Sequence, residues 1–192
     1  MVRLTQQLEG VPMSLRLALS AVALAGLANA AYAANPDVGG APMFETKNIV
    51  ENAVNSADHT TLVAAVKAAD LVDALMGDGP FTVFAPVNDA FAALPAGTVD
   101  TLLLPENKDL LTKVLTAHVV AGDLTLADLR AKVGSDGYAN LKTLSGDALS
   151  IRFKGDTAMI YSESRNIGTI TIGDVDQSNG VIHVIDAVMV PK

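Results

Sequence analysis

The segment at residues 179–191, NGVIHVIDAVMVP, constrains this chain more than any other stretch. Asn179-Gly180 is a strong two-residue hairpin signal, and residues 181–190 after it are apolar at odd and even positions alike. Successive side chains of an extended strand point to opposite faces, so a strand of this composition has to be covered on both. It is expected between layers. About ninety residues earlier, TVFAPVNDAFAALP at 82–95 makes a similar demand. Residues 81–85 read as a buried strand stopped by Pro86, and Asn88 is expected to cap a short helix carrying Phe91 and Leu94.

Around these two segments the hydrophobic period changes. Residues 48–55 suit a short helix. Asp58 is a candidate N-cap for a longer one, with Leu62, Val63, Val66, Ala69, Val72, Leu75 and Met76 on one stripe, ended by Gly77 and Gly79-Pro80. Val99, Leu102 and Leu103 mark a helical turn. A helix is expected from Glu106 to about Ala117, with Leu110, Leu111, Val114 and Leu115 facing the core. Residues 118–120 form a short strand ended by Gly122, and 124–133 are briefly helical. From Leu141 the period becomes two: Leu149, Ile151 and Phe153 alternate with Ser150, Arg152 and Lys154. Gly155-Asp156 turns the chain into 158–161, and Ile170 and Ile172 mark a further strand. Helices first and strands later predict an α+β fold.

The N-terminus carries a different pattern. Ser14-Leu15-Arg16 precedes an apolar run over 17–27 and then small residues, the order of a secretory signal peptide. Cleavage is expected after Ala33, with Ala30 as the second choice, and Met13 is an alternative start. The apolar core is about eleven residues, against roughly twenty needed to span a bilayer. The expected organisation is a signal peptide at 1–33, a flexible Pro/Gly-containing leader at 34–43, and one domain at 44–192, with no transmembrane anchor in the mature chain. The 192 residues include 13 basic and 21 acidic ones; without Arg3, Arg16 and Glu9 the net charge is −9. So acidic a domain lacks the basic footprint that nucleic acid requires. With no cysteine there is no disulfide, thiolate ligand or cysteine nucleophile, so the hydrophobic core must hold the fold.

TVFAPVNDAFAALP resembles the first signature of the fasciclin domain, LTAHVVAGDL at 115–124 resembles its central segment, and NGVIHVIDAVMVP its last. The three stand in family order and cover about 44–191. The resemblance implies a wedge of two β-sheets with several helices packed at one end. It also implies secreted or periplasmic adhesion, or cell-surface interaction, rather than catalysis. The motif positions it marks are Thr82, Phe84, Ala85, Pro86, Asn88, Asp89, Phe91, His118, Gly122, Asn179, Gly180, His183 and Asp186. Ala117 departs from the tyrosine of many members, so adhesive roles of that tyrosine do not transfer. Asn107-Lys108-Asp109 is similar to a segment proposed to bind integrin in an animal relative. Here Leu110 and Leu111 are expected to pack the core, leaving Lys108 and Asp109 as surface charges.

The residues themselves offer little chemistry. Thr82, Asn88 and Asp89 are expected to bond backbone groups at the strand-to-helix junction. His118 continues the stripe of its helix, and His183 alternates with Val181 and Ile185. Both read as buried, hydrogen-bonded imidazoles, and His59 as an exposed one. No histidine pair has metal-ligand spacing. Asp174-x-Asp176 fails the calcium-loop template, and no nucleophile stands beside a base. No cofactor, metal or catalytic residue is expected. The leading expectation is a non-catalytic module whose partner is a cell-surface protein, matrix or glycan. The alternative is a periplasmic carbohydrate- or polymer-binding module, against which stands the scarcity of aromatics, only Tyr138 and Tyr161 being candidates. An uncharacterised hydrolase comes last.

Overall fold

The computed structural model describes residues 35–192. The expected signal peptide and both cleavage positions lie outside the described residues. The described residues begin with a small hairpin, β1 (Asp37–Val38) and β2 (Ala41–Pro42), and three helices, α1 (Ile49–Ala53), α2 (Thr60–Ala68) and α3 (Val72–Leu75). Strand β3 (Phe81–Pro86) follows, then α4 (Asn88–Ala92), α5 (Thr98–Leu102) and α6 (Lys108–Thr116). Next come β4 (Val119–Ala121), α7 (Leu126–Ala131), β5 (Ala139–Lys142), β6 (Ala148–Lys154), β7 (Thr157–Ser162), β8 (Ile167–Gln177) and β9 (Gly180–Ile185).

The α+β class is as expected. Seven strands form one hydrogen-bonded sheet in the order β4-β3-β9-β8-β7-β6-β5, antiparallel except for the parallel pair β3 and β9. A bridge between Val120 and Thr143 brings β4 back to the far end of β5, so the sheet curls into a near-barrel. The two sheets of the expected wedge are thus two halves of one continuous sheet, bent where β8 changes register between Ile170, Ile172 and Val175.

The curl creates two cores. Inside it lie Phe84, Val120, Leu141, Ile151, Ile160 and Ile185, capped by Leu129 of α7 and by Met189. Outside, Val83, Ala85, Val119, Ile182 and Val184 meet the apolar sides of α1, α2, α4 and α6. Every residue of β9 is buried, as its two apolar faces require. This strand is shorter than the predicted 181–190 because the chain leaves the sheet at Ile185. Residues past it are apolar for another reason: Val188 enters the outer core and Met189 the inner one.

Several local expectations are corrected. The single helix predicted from Asp58 to Met76 is two. Asp70 adopts a left-handed φ of 55°, which ends α2, and α3 restarts at Val72. Met76 then falls outside the stripe and is exposed. Asp58 lies within a 3-10 turn, Ala57–His59, and caps nothing. Leu110 is 50% exposed while Leu111 is buried, because α6 begins only at Lys108 after a 3-10 turn and the stripe is narrower than predicted. The expected leader at 34–43 is packed from Asn35 onward. Asn35 exchanges hydrogen bonds with the Asp176 backbone, and Val38 and Met43 are buried in the outer core. Its Gly and Pro content encodes the hairpin turn at Gly39-Gly40.

Candidate functional site

The strand-to-helix junction of the first signature is built of buried parts. Phe84, Ala85 and Pro86 are buried in β3, Phe91 packs in the outer core, and Asp89 is exposed. Asn88 was expected to cap its own helix, but the capping position of α4 is Val87. Instead Asn88 reaches the start of α2. Its Oδ1 accepts from the Thr61 amide at 3.0 Å and the Thr60 hydroxyl at 3.1 Å, and its Nδ2 donates to the Ala57 carbonyl at 2.8 Å. Helix α2 has no cap of its own, so Asn88 satisfies its free amide from 27 residues away. Thr82 also acts away from the junction. Its hydroxyl donates to Gly122 O at 2.7 Å and accepts from Leu124 N at 2.9 Å, clamping the turn after β4.

The histidines do not converge. His118 follows α6 and is buried. Its Nδ1–H donates to Val114 O at 2.8 Å, and its Nε2 accepts from the Met189 amide at 2.8 Å. One imidazole therefore fastens the end of α6 to the segment after β9. Burial, opposed only by the Val114 carbonyl, lowers its pKa to about 4, so the ring is neutral. His183 lies on β9 directly beside Phe84, with the rings stacked 5.5 Å apart. Its Nε2–H donates to Leu124 O at 2.8 Å and its Nδ1 accepts from Asp174 N at 3.2 Å. Burial again lowers its pKa, partly offset by the Leu124 carbonyl and by Asp174, Asp123 and Asp176. All four nitrogens of these two rings are engaged with backbone, leaving none for a metal or a proton shuttle. His59, expected to be exposed, is 3% exposed. The 3-10 turn folds it inward, where Nδ1 meets Ser56 Oγ at 2.9 Å and Nε2 has no hydrogen-bond partner among the described residues. Burial pushes its pKa down.

Asn179 and Gly180 form a second junction. The hairpin loop is Ser178-Asn179 rather than Asn179-Gly180, since Gly180 already pairs with Gln177. The Asn179 side chain accepts from Ile49 N at 3.0 Å and donates to Leu75 O at 2.8 Å and Gly77 O at 2.9 Å. One buried amide thus ties α1, α3 and the turn before β3. Beside it Asn52 and Gln177, a pair not anticipated from sequence, bond to each other. Gly122 adopts φ +112° in the turn that Thr82 holds, and Asp186 accepts from Thr169 N at 2.6 Å. In the Asn107-Lys108-Asp109 segment, Asn107 donates to Thr101 O, Lys108 pairs with Asp70, and Asp109 is exposed.

A cavity of about 90 Å3 lies between α1, α2, α3 and the outer face of β3 and β4. Its walls are almost wholly apolar, from residues such as Leu62, Val66, Leu75, Phe81 and Val119, with Lys67, Thr116 and His118 among the lining. No carboxylate faces it. Among the described residues no three His, Asp or Glu side chains converge as a metal site, and no helix is long and apolar enough to cross a membrane.

These features define a class of protein: an α+β domain whose signature residues are structural joints. The fasciclin domain model matches residues 57–191, and the chain belongs to the fasciclin domain family. It is 54% identical over 143 residues to the protein sll1483 of Synechocystis sp., covering 74% of this chain and 73% of that one. It is 35% identical over 144 residues to the immunogenic protein MPB70 of Mycobacterium bovis, covering 72% and 66%. A solved FAS1 domain pair from the insect cell adhesion molecule Fasciclin I shares the fold, with a TM-score of 0.66 and 20% identity over 74% of this chain and 50% of that one.

Proposed function

We propose that this chain is a secreted or periplasmic, non-catalytic module serving adhesion or assembly at a cell surface or matrix. The observation that carries this reading is the fate of the signature side chains. Thr82, Asn88, His118, Asn179 and His183 all spend their polar atoms on partners within the domain, backbone groups in every case but the Thr60 hydroxyl that Asn88 also accepts. A domain that keeps its buried polar groups so paired has invested them in a rigid frame. What such a frame offers other molecules is its surface. Family membership supports the reading, as does the solved neighbour named as a cell adhesion molecule. Partners would be a cell-surface protein, a matrix component or a glycan.

The test is a deletion strain complemented with the wild-type gene, scored for surface attachment and matrix formation, together with binding of purified protein to the same surfaces. Loss of attachment restored by complementation supports the proposal. No phenotype and no surface binding would sink it. The glycan-binding reading gains one specific observation: the two tyrosines lie against each other, at 5.6 Å between ring centroids.

A further inference from the structure

The sheet is covered unequally. Its β4-β3-β9 half is packed under helices, whereas the outward side of β5, β6 and β7 carries exposed and half-buried side chains. Strand register places Tyr138 next to Arg152, Arg152 opposite Met159, and Ser150 between Asn140 and Tyr161. Tyr138 and Tyr161 meet edge to face, at 82° between ring planes, and the Arg152 guanidinium lies 5.7 Å from the Tyr138 ring centre. Ser150 Oγ donates to Asn140 Oδ1 at 2.7 Å, and the Tyr161 hydroxyl sits 3.7 Å from Met159 Sδ.

The charge on this face runs against that of the molecule. In a protein with 21 acidic residues, none of β5, β6 and β7 contains one, while Lys142, Arg152 and Lys154 are exposed there. Among the described residues Lys142 and Arg152 make no ion pair; the two ion pairs are Lys108 with Asp70 and Arg130 with Asp156. Asp136, at the rim, is occupied by the Tyr138 amide and Asn140 Nδ2. Glu163, just past β7, is occupied by the amide of Ala148, the residue opposite Lys142. Charges separated by more than about 8 Å interact weakly at physiological salt.

We propose that this outer face of β5–β7 is a binding platform for an acidic polysaccharide, recognised through its uronate carboxylates. The inference rests on the module reading above and names its ligand class. An arginine steadied over an aromatic ring, with its hydrogen-bond donors unspent, is prepared to take a carboxylate in a two-point contact. A tyrosine ring offers an electron-rich face to the apolar C–H side of a sugar and a hydroxyl to its polar edge. Lys142 and the remaining Nδ2 hydrogen of Asn140 add donors, and Ser150 Oγ an acceptor for a sugar hydroxyl; they lie along a strip about 13 Å long, four residues at strand rise. A neutral glycan would leave the cations unused.

The test is titration calorimetry of the purified protein with oligogalacturonate, with cellooligosaccharide and polyglutamate as comparisons. Saturable, salt-sensitive binding of oligogalacturonate is expected, at least ten-fold tighter than either comparison. Arg152→Ala should weaken it ten-fold or more and Tyr161→Ala several-fold, while Lys67→Ala, a cation on the helical side, leaves it unchanged. Melting curves check that the surface variants stay folded. Absence of saturable binding overturns the proposal, as do equal losses for Arg152→Ala and Lys67→Ala, or polyglutamate binding as tight as oligogalacturonate. Suppose wild-type protein restores attachment to the deletion strain but binds no uronate, and Arg152→Ala restores it equally. The platform then fails while the module reading stands. Uronate binding without any attachment phenotype would fail the module reading alone.

Discussion

At the scale of single residues, the domain depends on a few buried polar side chains that each join distant backbone. His118 is the clearest. Removing its ring orphans the Met189 amide and the Val114 carbonyl, so His118→Ala should lower the unfolding free energy by about 1–3 kcal/mol in urea titration. An unchanged midpoint would contradict the structural role. The same residue sets a pH dependence. Its folded pKa of about 4 lies below the ordinary 6.5, so the unfolded state binds the proton more readily between these values. Stability is therefore complete above about pH 6.5 and declines as pH falls towards 4, by about 3 kcal/mol from this residue. His183 and His59 act in the same direction. Denaturant midpoints measured from pH 7 to 4 should show the decline, and His118→Ala should flatten part of it. The burial of His118 and His183 was legible because each continued an apolar pattern. His59 was not, because a 3-10 turn at Ala57–His59 changes which side of the chain faces inward. Asn88 was legible as a capping residue but not as the cap of a helix 27 residues earlier, since sequence spacing shows only local partners.

At the scale of elements, the most demanding contact is between the first residue of β9 and the first residue of β3. Gly180 has φ +147°, and a Cβ there would collide with the Phe81 carbonyl. Gly180→Ala should cost about 3 kcal/mol or more, combining backbone strain with a clash against main chain that cannot move aside. Gly155, φ +62°, faces open space, so Gly155→Ala should cost only about 1–2 kcal/mol. Thermal melts of the two variants make the comparison, and equal losses would remove the argument for close approach. Most elements could be read from periodicity: β3, β6, β7 and α6 lie close to their predicted places. The break between α2 and α3 could not, because Asp70 gives no stronger local signal than other helix-surface acids and its left-handed turn is fixed by packing. The exposed platform was half legible. Alternation put Arg152 and Lys154 outward, but only the β5–β6–β7 register brings Tyr138 to Tyr161.

At the scale of the whole molecule, the two cores are closed by segments that look dispensable in the sequence. Residues 35–43 read as a linker, yet Val38 and Met43 seal the outer core. Burying such a side chain contributes about 1.5–3 kcal/mol. Protein beginning at residue 44 should therefore be less stable than protein beginning at 35 by roughly 3–5 kcal/mol on that scale, read from denaturant midpoints. The α+β class was legible from the order of periods. The single curled sheet was not, because its closure rests on one bridge, Val120 to Thr143, which leaves no trace in hydrophobicity. The parallel pairing of β3 with β9 has a further effect, on the order of events during folding. Strand β9, third of the seven in the sheet, is the last to be made, and β3, which also pairs with β4, waits for its second partner about a hundred residues downstream. Contacts of such separation form slowly, because a long loop must close before they repay it. Neither core can close until residue 185 is available, so chains cut before Gly180 should show no cooperative unfolding transition. Under the secretion proposed above, the same strand order would delay closure of the cores until the chain is nearly complete, which suits passage through an export channel in an unstructured state.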